Sequence, residues 1–178
     1  MKLISYDSQY KDDSIKLYKE VFTASESQSE GELASKLASD LLTTTPEKDF
    51  YGFLALDNEV VVGIIIFSRI TLESGTNAFI LSPVAVDNEY QGKHTGQSLI
   101  DFGIEYLKDE GVELLVTYGD PYYYIKVGFK PVNAQVIIPP YKLSMAEGWL
   151  AQPLTQKTIE EMAGKVACVP ALDKEEIW

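Results

Sequence analysis

Cysteine is almost missing from this chain of 178 residues: Cys168 stands alone. A lone cysteine makes no internal disulfide and no cysteine-rich zinc site, and it argues for a reducing compartment. Long apolar runs are missing as well. The longest, such as Val60 to Phe67, fall far short of a membrane span, and Met1-Lys2-Leu3-Ile4-Ser5-Tyr6-Asp7 lacks the apolar stretch of a secretory signal. The sequence therefore predicts a soluble, cytoplasmic protein without a membrane partner. Basic residues are the third shortage: 15 of them against 27 acidic ones leave a formal charge of −12. Such a surface repels nucleic-acid phosphates and anionic lipid, so a nucleic-acid partner is not expected. The chain shows no internal repeat, low-complexity block or clear interdomain linker.

What is present is an ordinary globular composition, 46% apolar and 24% charged, in a length that suits one core. Leu3, Ile4 and Tyr6 predict a first strand, and Asp12-Asp13-Ser14 opens a helix carrying Ile15, Tyr18 and Phe22 at helical spacing. Leu33, Leu37 and Leu41, beside Ala34 and Ala38, predict a second helix over 30–42 that stops at Thr43-Thr44-Thr45-Pro46. The polar stretch from Ser25 to Gly31 reads as a mobile connection. Strands are predicted over 50–56, 60–72 and 78–86, the first two joined by a hairpin turn at Asp57-Asn58. Past Gly96 the period changes: Ile100, Gly103, Ile104 and Leu107 share a helical face, and Gly111 stops the helix. A strand over 113–118 follows, then a helical turn with Asp120 as N-cap and Pro121 as its first residue. Beyond Phe129, prolines punctuate the chain. Short strands near 149–152 and 165–168 and a helix over 157–162 are expected there. The order gives an α+β fold, a mixed, mostly antiparallel sheet with helices on its faces. It is read as one domain over 1–178, with 130–178 as a C-terminal extension packed on it.

Two segments can carry chemistry. In the first, a strand interrupted by Pro83 runs through Val84-Ala85-Val86 into the loop Gln91-Gly92-Lys93-His94-Thr95-Gly96 and directly into a helix. A helix N-terminus presents unpaired N–H groups and a positive dipole, so an acidic protein can still hold a phosphate there. Two glycines before a helix are equally compatible with a plain turn, and the loop matches neither a Walker nor a dinucleotide-binding pattern. In the second segment, Tyr122, Tyr123 and Tyr124 point about 100° apart on a helical turn, so all three cannot enter the core. A phenol can protonate a leaving thiolate, although aromatic side chains also simply fill cores.

Together the segments resemble the GNAT superfamily of acyl-CoA-dependent N-acyltransferases. Gln91-Gly92-Lys93-His94-Thr95-Gly96 is similar to the family's Gln/Arg-x-x-Gly-x-Gly/Ala loop at Gln91 and Gly96, with His94 at the first glycine. Tyr124-Ile125-Lys126-Val127-Gly128-Phe129 matches its Tyr-x-x-x-Gly-Phe stretch. The resemblance covers 1–129 and, more loosely, the proline-rich tail, which looks like a bacterial branch of acetyltransferases. It implies a splayed sheet, acetyl-CoA as co-substrate and no metal. It implies that backbone groups of Val84, Ala85 and Val86 pair with the pantetheine arm. The amides of Gly92, Lys93, His94, Thr95 and Gly96, with Gln91, would cradle the pyrophosphate, and Tyr124 would be the general acid. His94 adds bulk where glycine admits the cofactor; it can clash, shield the phosphates, or pair with them when protonated.

The implied activity is acetyl transfer to a primary amine by direct attack. The acceptor is a small-molecule or peptide amine, and a homodimer stays open. The fourth strand lacks the glutamate many members use as base. Glu73 and Asp87 read as turn carboxylates, which leaves water or a residue of the first two helices. Cys168 reads as a small buried hydrophobe, and Met145 to Trp149 as either core or a border of the acceptor pocket. His94 and the missing acid also allow a second reading, a weak or inactive CoA-binding sensor or interaction module. A third is a small domain with no CoA site. The acidity further predicts a cationic acceptor, drawn in by charge.

Overall fold

A computed structural model of the chain describes all of residues 1–178. The elements are β1 (Lys2–Ser5), α1 (Lys11–Ser25), α2 (Gln28–Thr44), β2 (Phe50–Asp57), β3 (Val60–Thr71), β4 (Ala78–Val86), α3 (Thr95–Asp109), β5 (Leu114–Tyr118) and α4 (Pro121–Tyr124). The short strands β6 (Lys130–Pro131), β7 (Ile137–Ile138), β8 (Trp149–Pro153), β9 (Gly164–Lys165) and β10 (Ala167–Cys168) complete the chain. The main sheet has the strand order β1-β2-β3-β4-β5-β8-β6, with β10 on β3, and β7 pairs with β9 separately. The β4–β5 pair is parallel; β1–β2, β5–β8, β6–β8 and β3–β10 are antiparallel. The fold is α+β, as the element order predicts. The chain forms two compact units, Met1–Phe67 with Pro83–Ile104, and Ser68–Ser82 with Glu105–Trp178.

In the first unit, α1 buries Leu17, Tyr18 and Val21, and α2 buries Ala34, Leu37, Ala38 and Leu41. In α2 these are the predicted positions except Leu33, which is half-buried; in α1 the buried face is turned toward Leu17 and Val21, so that of the predicted Ile15, Tyr18 and Phe22 only Tyr18 is fully buried. The two helices cross closely at Gly31, where a Cβ would lie 2.7 Å from the Lys19 carbonyl oxygen. Gly31 therefore belongs inside α2. The expected connection over Ser25 to Gly31 shrinks to Glu26 and Ser27, because the Ser27 hydroxyl caps the helix by accepting from the Glu30 amide at 3.2 Å. The hairpin turn also sits one residue further on than predicted. Asn58 and Glu59 take φ of 48° and 64°, the paired left-handed conformation of a two-residue hairpin turn, while Asp57 ends β2.

Pro83 does not interrupt β4, which runs unbroken from Ala78 to Val86. The Pro83 carbonyl accepts from the Tyr18 hydroxyl at 2.9 Å, so the buried phenol ties α1 to the strand. Helix α3 rests on β2 and β3 through Gly103. A Cβ there would lie 2.7 Å from Phe67, 3.0 Å from Phe53 and 3.2 Å from Ile65. Two ring edges and a methyl cannot all give way, so Gly103→Val is expected to cost about 1–3 kcal/mol through overpacking. Urea unfolding of the variant, with an unchanged m-value and a lower midpoint, is the result that checks it.

In the second unit, β5 is apolar on both faces: Leu114, Leu115 and Val116 are fully buried. It is flanked by β4 in the register Ala78↔Leu114 to Leu81↔Thr117, and by β8 in the register Leu114↔Pro153 to Tyr118↔Trp149. Trp149 is core, 1% exposed, with its indole N–H donating to the Ile137 carbonyl at 2.8 Å. Trp178 stacks on Tyr118 and donates to the Leu172 carbonyl at 3.0 Å. The predicted strand over 165–168 divides into β9 and β10 around Val166, and the predicted helix over 157–162 is only a single turn, Glu160–Met162.

Candidate active site

The loop between β4 and α3 lies within the first unit and is built by short-range bonds. The Asp87 carboxylate accepts from the Glu89 amide at 2.8 Å, and the Asp87 carbonyl accepts from the Tyr90 and Gln91 amides at 2.8 and 3.1 Å. The Gln91 side chain turns back and donates to the Val86 carbonyl at 2.8 Å and to Asn88 at 3.0 Å. Gln91 thus ties the loop to the end of β4. From the outer side, the Tyr90 hydroxyl donates to Asp57 at 2.5 Å, a bond that raises the Tyr90 pKa first, before desolvation adds to it. The Lys93 ammonium sits 5.6 Å from the Tyr90 ring centroid.

Gly92 and His94 both take left-handed backbone, φ 70° and 63°. Glycine does so without strain, whereas for histidine this costs on the order of 1 kcal/mol. His94 is the residue that stands where the resembled loop has glycine, and its backbone explains that preference. The His94 imidazole contacts the Gln97 side-chain oxygen at 2.7 Å on the exposed face of α3. The first bond of α3 runs from the Ser98 amide to the His94 carbonyl at 2.9 Å, so the amides of Thr95, Gly96 and Gln97 have no acceptor inside the helix. Thr95 and Gly96 are buried, while Gln91, Gly92, Lys93 and His94 are exposed. At Gly92 a Cβ would meet nothing within 4 Å, so the backbone there is open to an approaching ligand. Val84, Ala85 and Val86 form the last stretch of β4, with Ala85 and Val86 buried. The donor set suits a phosphate ester, since it consists of backbone N–H groups without a partner inside the helix and a helix dipole.

The tyrosine segment lies within the second unit. Asp120 caps α4 by accepting from the Tyr122 amide at 2.9 Å, with Pro121 in the first turn, as predicted. The three tyrosines part company. Tyr122 is 82% exposed, while Tyr123 and Tyr124 are half-buried and meet edge to face at 5.2 Å. The Tyr124 ring lies against the bare face of Gly119, where a Cβ would come within 2.7 Å of it, and meets Phe129 at 5.9 Å. Although the residue keeps some exposure, desolvation pushes its pKa up to about 12. A hydrogen bond with the Thr117 side chain acts in the opposite direction. Thr117 itself is fully buried, and its hydroxyl donates to the Leu81 carbonyl at 2.9 Å. In the sequence Thr117 is only a lone hydroxyl closing the apolar run Leu114-Leu115-Val116.

Among the remaining candidates, Glu73 is exposed and Asp87 is an N-cap, both as turn carboxylates should be. Cys168 is half-buried, and desolvation pushes its thiol up to about 12, which suits no nucleophile. No group of three or more His, Cys, Asp or Glu could hold a metal, and no helix is long and apolar enough to cross a membrane.

The profile of the acetyltransferase (GNAT) family matches residues 12–122, more than half of the chain. The uncharacterized N-acetyltransferase YjhQ of Escherichia coli K12 is 31% identical over 138 residues, covering 74% of this chain and 76% of its own. The uncharacterized N-acetyltransferase YhbS of the same strain is 31% identical over 107 residues, which span 59% of this chain and 60% of its own length. Among solved structures, YhbS from Escherichia coli in complex with CoA superposes with a TM-score of 0.79 at 20% identity, covering 97% of this chain and 92% of that one. A GNAT acetyltransferase from Brucella melitensis in complex with acetyl-CoA gives 0.71 at 23% identity, with 97% of both chains covered. Aminoglycoside 6'-acetyltransferase type Ii gives 0.65 at 16% identity, covering 89% of this chain and all of that one. At these identities the superpositions establish the fold, while the profile and YjhQ establish kinship: the chain belongs to the GNAT acetyltransferase family and is an acyltransferase.

Proposed function

We propose that this protein transfers an acetyl group from acetyl-CoA to a primary amine by direct attack. The observation that carries this reading is the turn Gln91–Gly96, whose left-handed Gly92 and His94 lead into the unpaired amides of a 15-residue helix. In the proposal those amides and the end of Gln91 hold the pyrophosphate, and the backbone of Val84, Ala85 and Val86 pairs with the pantetheine arm. Acetyl-CoA supplies an activated thioester. The amine nitrogen forms the new C–N bond as the C–S bond breaks; Tyr124 gives its proton to the departing sulfur, and the amine loses its own proton to solvent. Holding both reactants on one protein supplies much of the rate. The whole chain, 1–178, acts as one catalytic domain in this reading, and it works in the cytoplasm. The direct test is release of free CoA thiol over a panel of amines, with hydrolysis alone as the result that sinks the transferase assignment.

The acceptor we propose is cationic before it reacts: a small polyamine, an aminoglycoside-like compound or a basic amino acid derivative. The charge of −12 supports it, because it concentrates cations near the surface while the anionic co-substrate depends on local amides. Steering of this kind is screened over about 8 Å at physiological salt. Accordingly kcat/KM for a cationic acceptor is expected to fall as salt rises from low to physiological, with the acetyl-CoA KM steady. A clear preference for neutral or acidic acceptors, or indifference to salt, removes the steering.

One observation favours a sensor or interaction module instead: His94 occupies the left-handed slot where the family's motif has glycine. His94→Gly separates the readings. Relief of about 1–2 kcal/mol of backbone strain and the added freedom of the unfolded glycine nearly cancel, so the melting temperature should stay within a few degrees. In a working enzyme the variant should bind CoA more tightly and keep its turnover, as seen by calorimetry and CoA release. An inert wild type that gains turnover only as His94→Gly identifies the sensor.

A further inference from the structure

We propose that Tyr90 is a positioning residue: its hydrogen bond to Asp57 fastens the Gln91–Gly96 loop to the β2–β3 hairpin and keeps the loop in the shape that accepts a pyrophosphate. The inference rests on the reading of that loop as the CoA pyrophosphate site and adds what holds it in shape.

The observations all lie within the first unit. The bonds made by Asp87, and those from the Gln91 side chain to Val86 and Asn88, join residues at most five apart. They set the local turn and tie it to the end of β4. The Tyr90–Asp57 bond, at 2.5 Å, spans 33 residues and reaches the last residue of β2. Asp57 is a firm anchor, because β2 and β3, strands of 8 and 12 residues, close through the two left-handed residues Asn58 and Glu59. The same turn is held from the α1 side, where the Glu59 carboxylate accepts from the Tyr10 hydroxyl at 3.1 Å. One tyrosine thus steadies the tip of the hairpin, and the tip steadies the loop through another.

The loop needs a hold from outside. Gly92 and His94 both take positive φ, 70° and 63°. Left-handed backbone at a residue other than glycine persists only where its surroundings fix it. Tyr90 stands directly before Gln91, at the start of the segment that carries both turns. Its ring also meets the Lys93 ammonium, 5.6 Å from the centroid, so one side chain engages the loop at its start and in its middle. A carboxylate near a phosphate site opposes the ligand by charge. The bond to Tyr90 is what accounts for Asp57 at this place.

The test is calorimetry with CoA on the whole chain, in a cycle of Tyr90→Phe, Asp57→Asn and the double variant, with Tyr10→Phe as control. Tyr90→Phe removes the hydroxyl and keeps the ring. Its Kd for CoA is expected to rise about 10-fold, the lower end for a hydrogen bond to a charged group, since the local bonds remain. In the Asp57→Asn background Tyr90→Phe should cost only about 3-fold, because a bond to a neutral amide is about half as strong. Comparing the two losses cancels the direct effect of the Asp57 charge on the anion. Tyr10→Phe removes the other hairpin bond, and its affinity should stay within about 2-fold of wild type. With an acceptor from the amine panel, Tyr90→Phe should raise the KM for acetyl-CoA in step with Kd and leave kcat within about 2-fold. Wild-type affinity in Tyr90→Phe, an equal loss in both Asp57 backgrounds, or the same loss in Tyr10→Phe overturns the proposal while the phosphate site stands. Wild-type affinity in Gly96→Glu overturns the site, and the proposal with it.

Discussion

Tyr124→Phe is expected to lower turnover by about 10², with the KM for acetyl-CoA unchanged. A general acid contributes about 10² to 10⁴-fold, and the pKa decides where in that range the loss falls. Held at about 12, the Tyr124 phenol keeps its proton throughout the neutral range, so it is always in the acid form. It is, however, a weaker acid than an ordinary thiol near 8.5, and complete transfer of the proton to a fully formed thiolate, giving phenolate and thiol, would cost about 5 kcal/mol. Proton donation therefore helps only while the sulfur is still gaining charge, which places the effect at the lower end. The sign of the pH dependence follows. Because the pKa is raised above 10, the folded state binds this proton more tightly than the unfolded chain does. Its contribution to stability is complete below pH 10 and is lost as pH rises through about 12. No alkaline limb of kcat below about pH 11 should belong to Tyr124. A variant as fast as wild type with the same acceptor would make the tyrosine a packing residue and leave water as the proton donor.

The legible part of this protein was the part governed by period and by caps. The faces of α2 and α3, the bounds of β4 and the Asp120–Pro121 start of α4 follow from local rules that act within one turn or one strand. The misplaced features depend on partners far along the chain. Gly31 reads as loop because glycine usually breaks helices, yet close approach of α2 to the Lys19 carbonyl demands a residue without a side chain. Pro83 reads as an interruption because it lacks an N–H, yet its carbonyl is what Tyr18 needs. The site divides in the same way. Gln91, Gly96 and Tyr124 announce themselves by spacing, and the left-handed φ of His94 gives a physical meaning to the glycine it replaces. The buried bond of Thr117 could not be found by spacing, since its partner, the Leu81 carbonyl, lies across the ladder.

Gly96→Glu should abolish measurable CoA binding while the protein stays folded. Gly96 is the second residue of α3 and is buried, in the turn whose amides have no partner inside the helix. A carboxylate there is favourable for the helix itself, because negative charge at the first turn complements the dipole. That gain offsets part of the cost of adding a side chain at a buried position. The same carboxylate competes for the amides proposed to hold the pyrophosphate and repels it as well. At about 4–6 Å and an effective dielectric near 20, one added charge opposes another by about 3–4 kcal/mol, or about 10² to 10³-fold in affinity. Gly96→Gln separates charge from bulk, since it has the same length and no charge, and it should lose much less. Calorimetry with CoA at two salt concentrations gives the comparison, and the melting temperature of each variant verifies the fold. Equal, large losses in both variants would point to steric exclusion alone, and wild-type affinity in Gly96→Glu would move the phosphate site away from this helix.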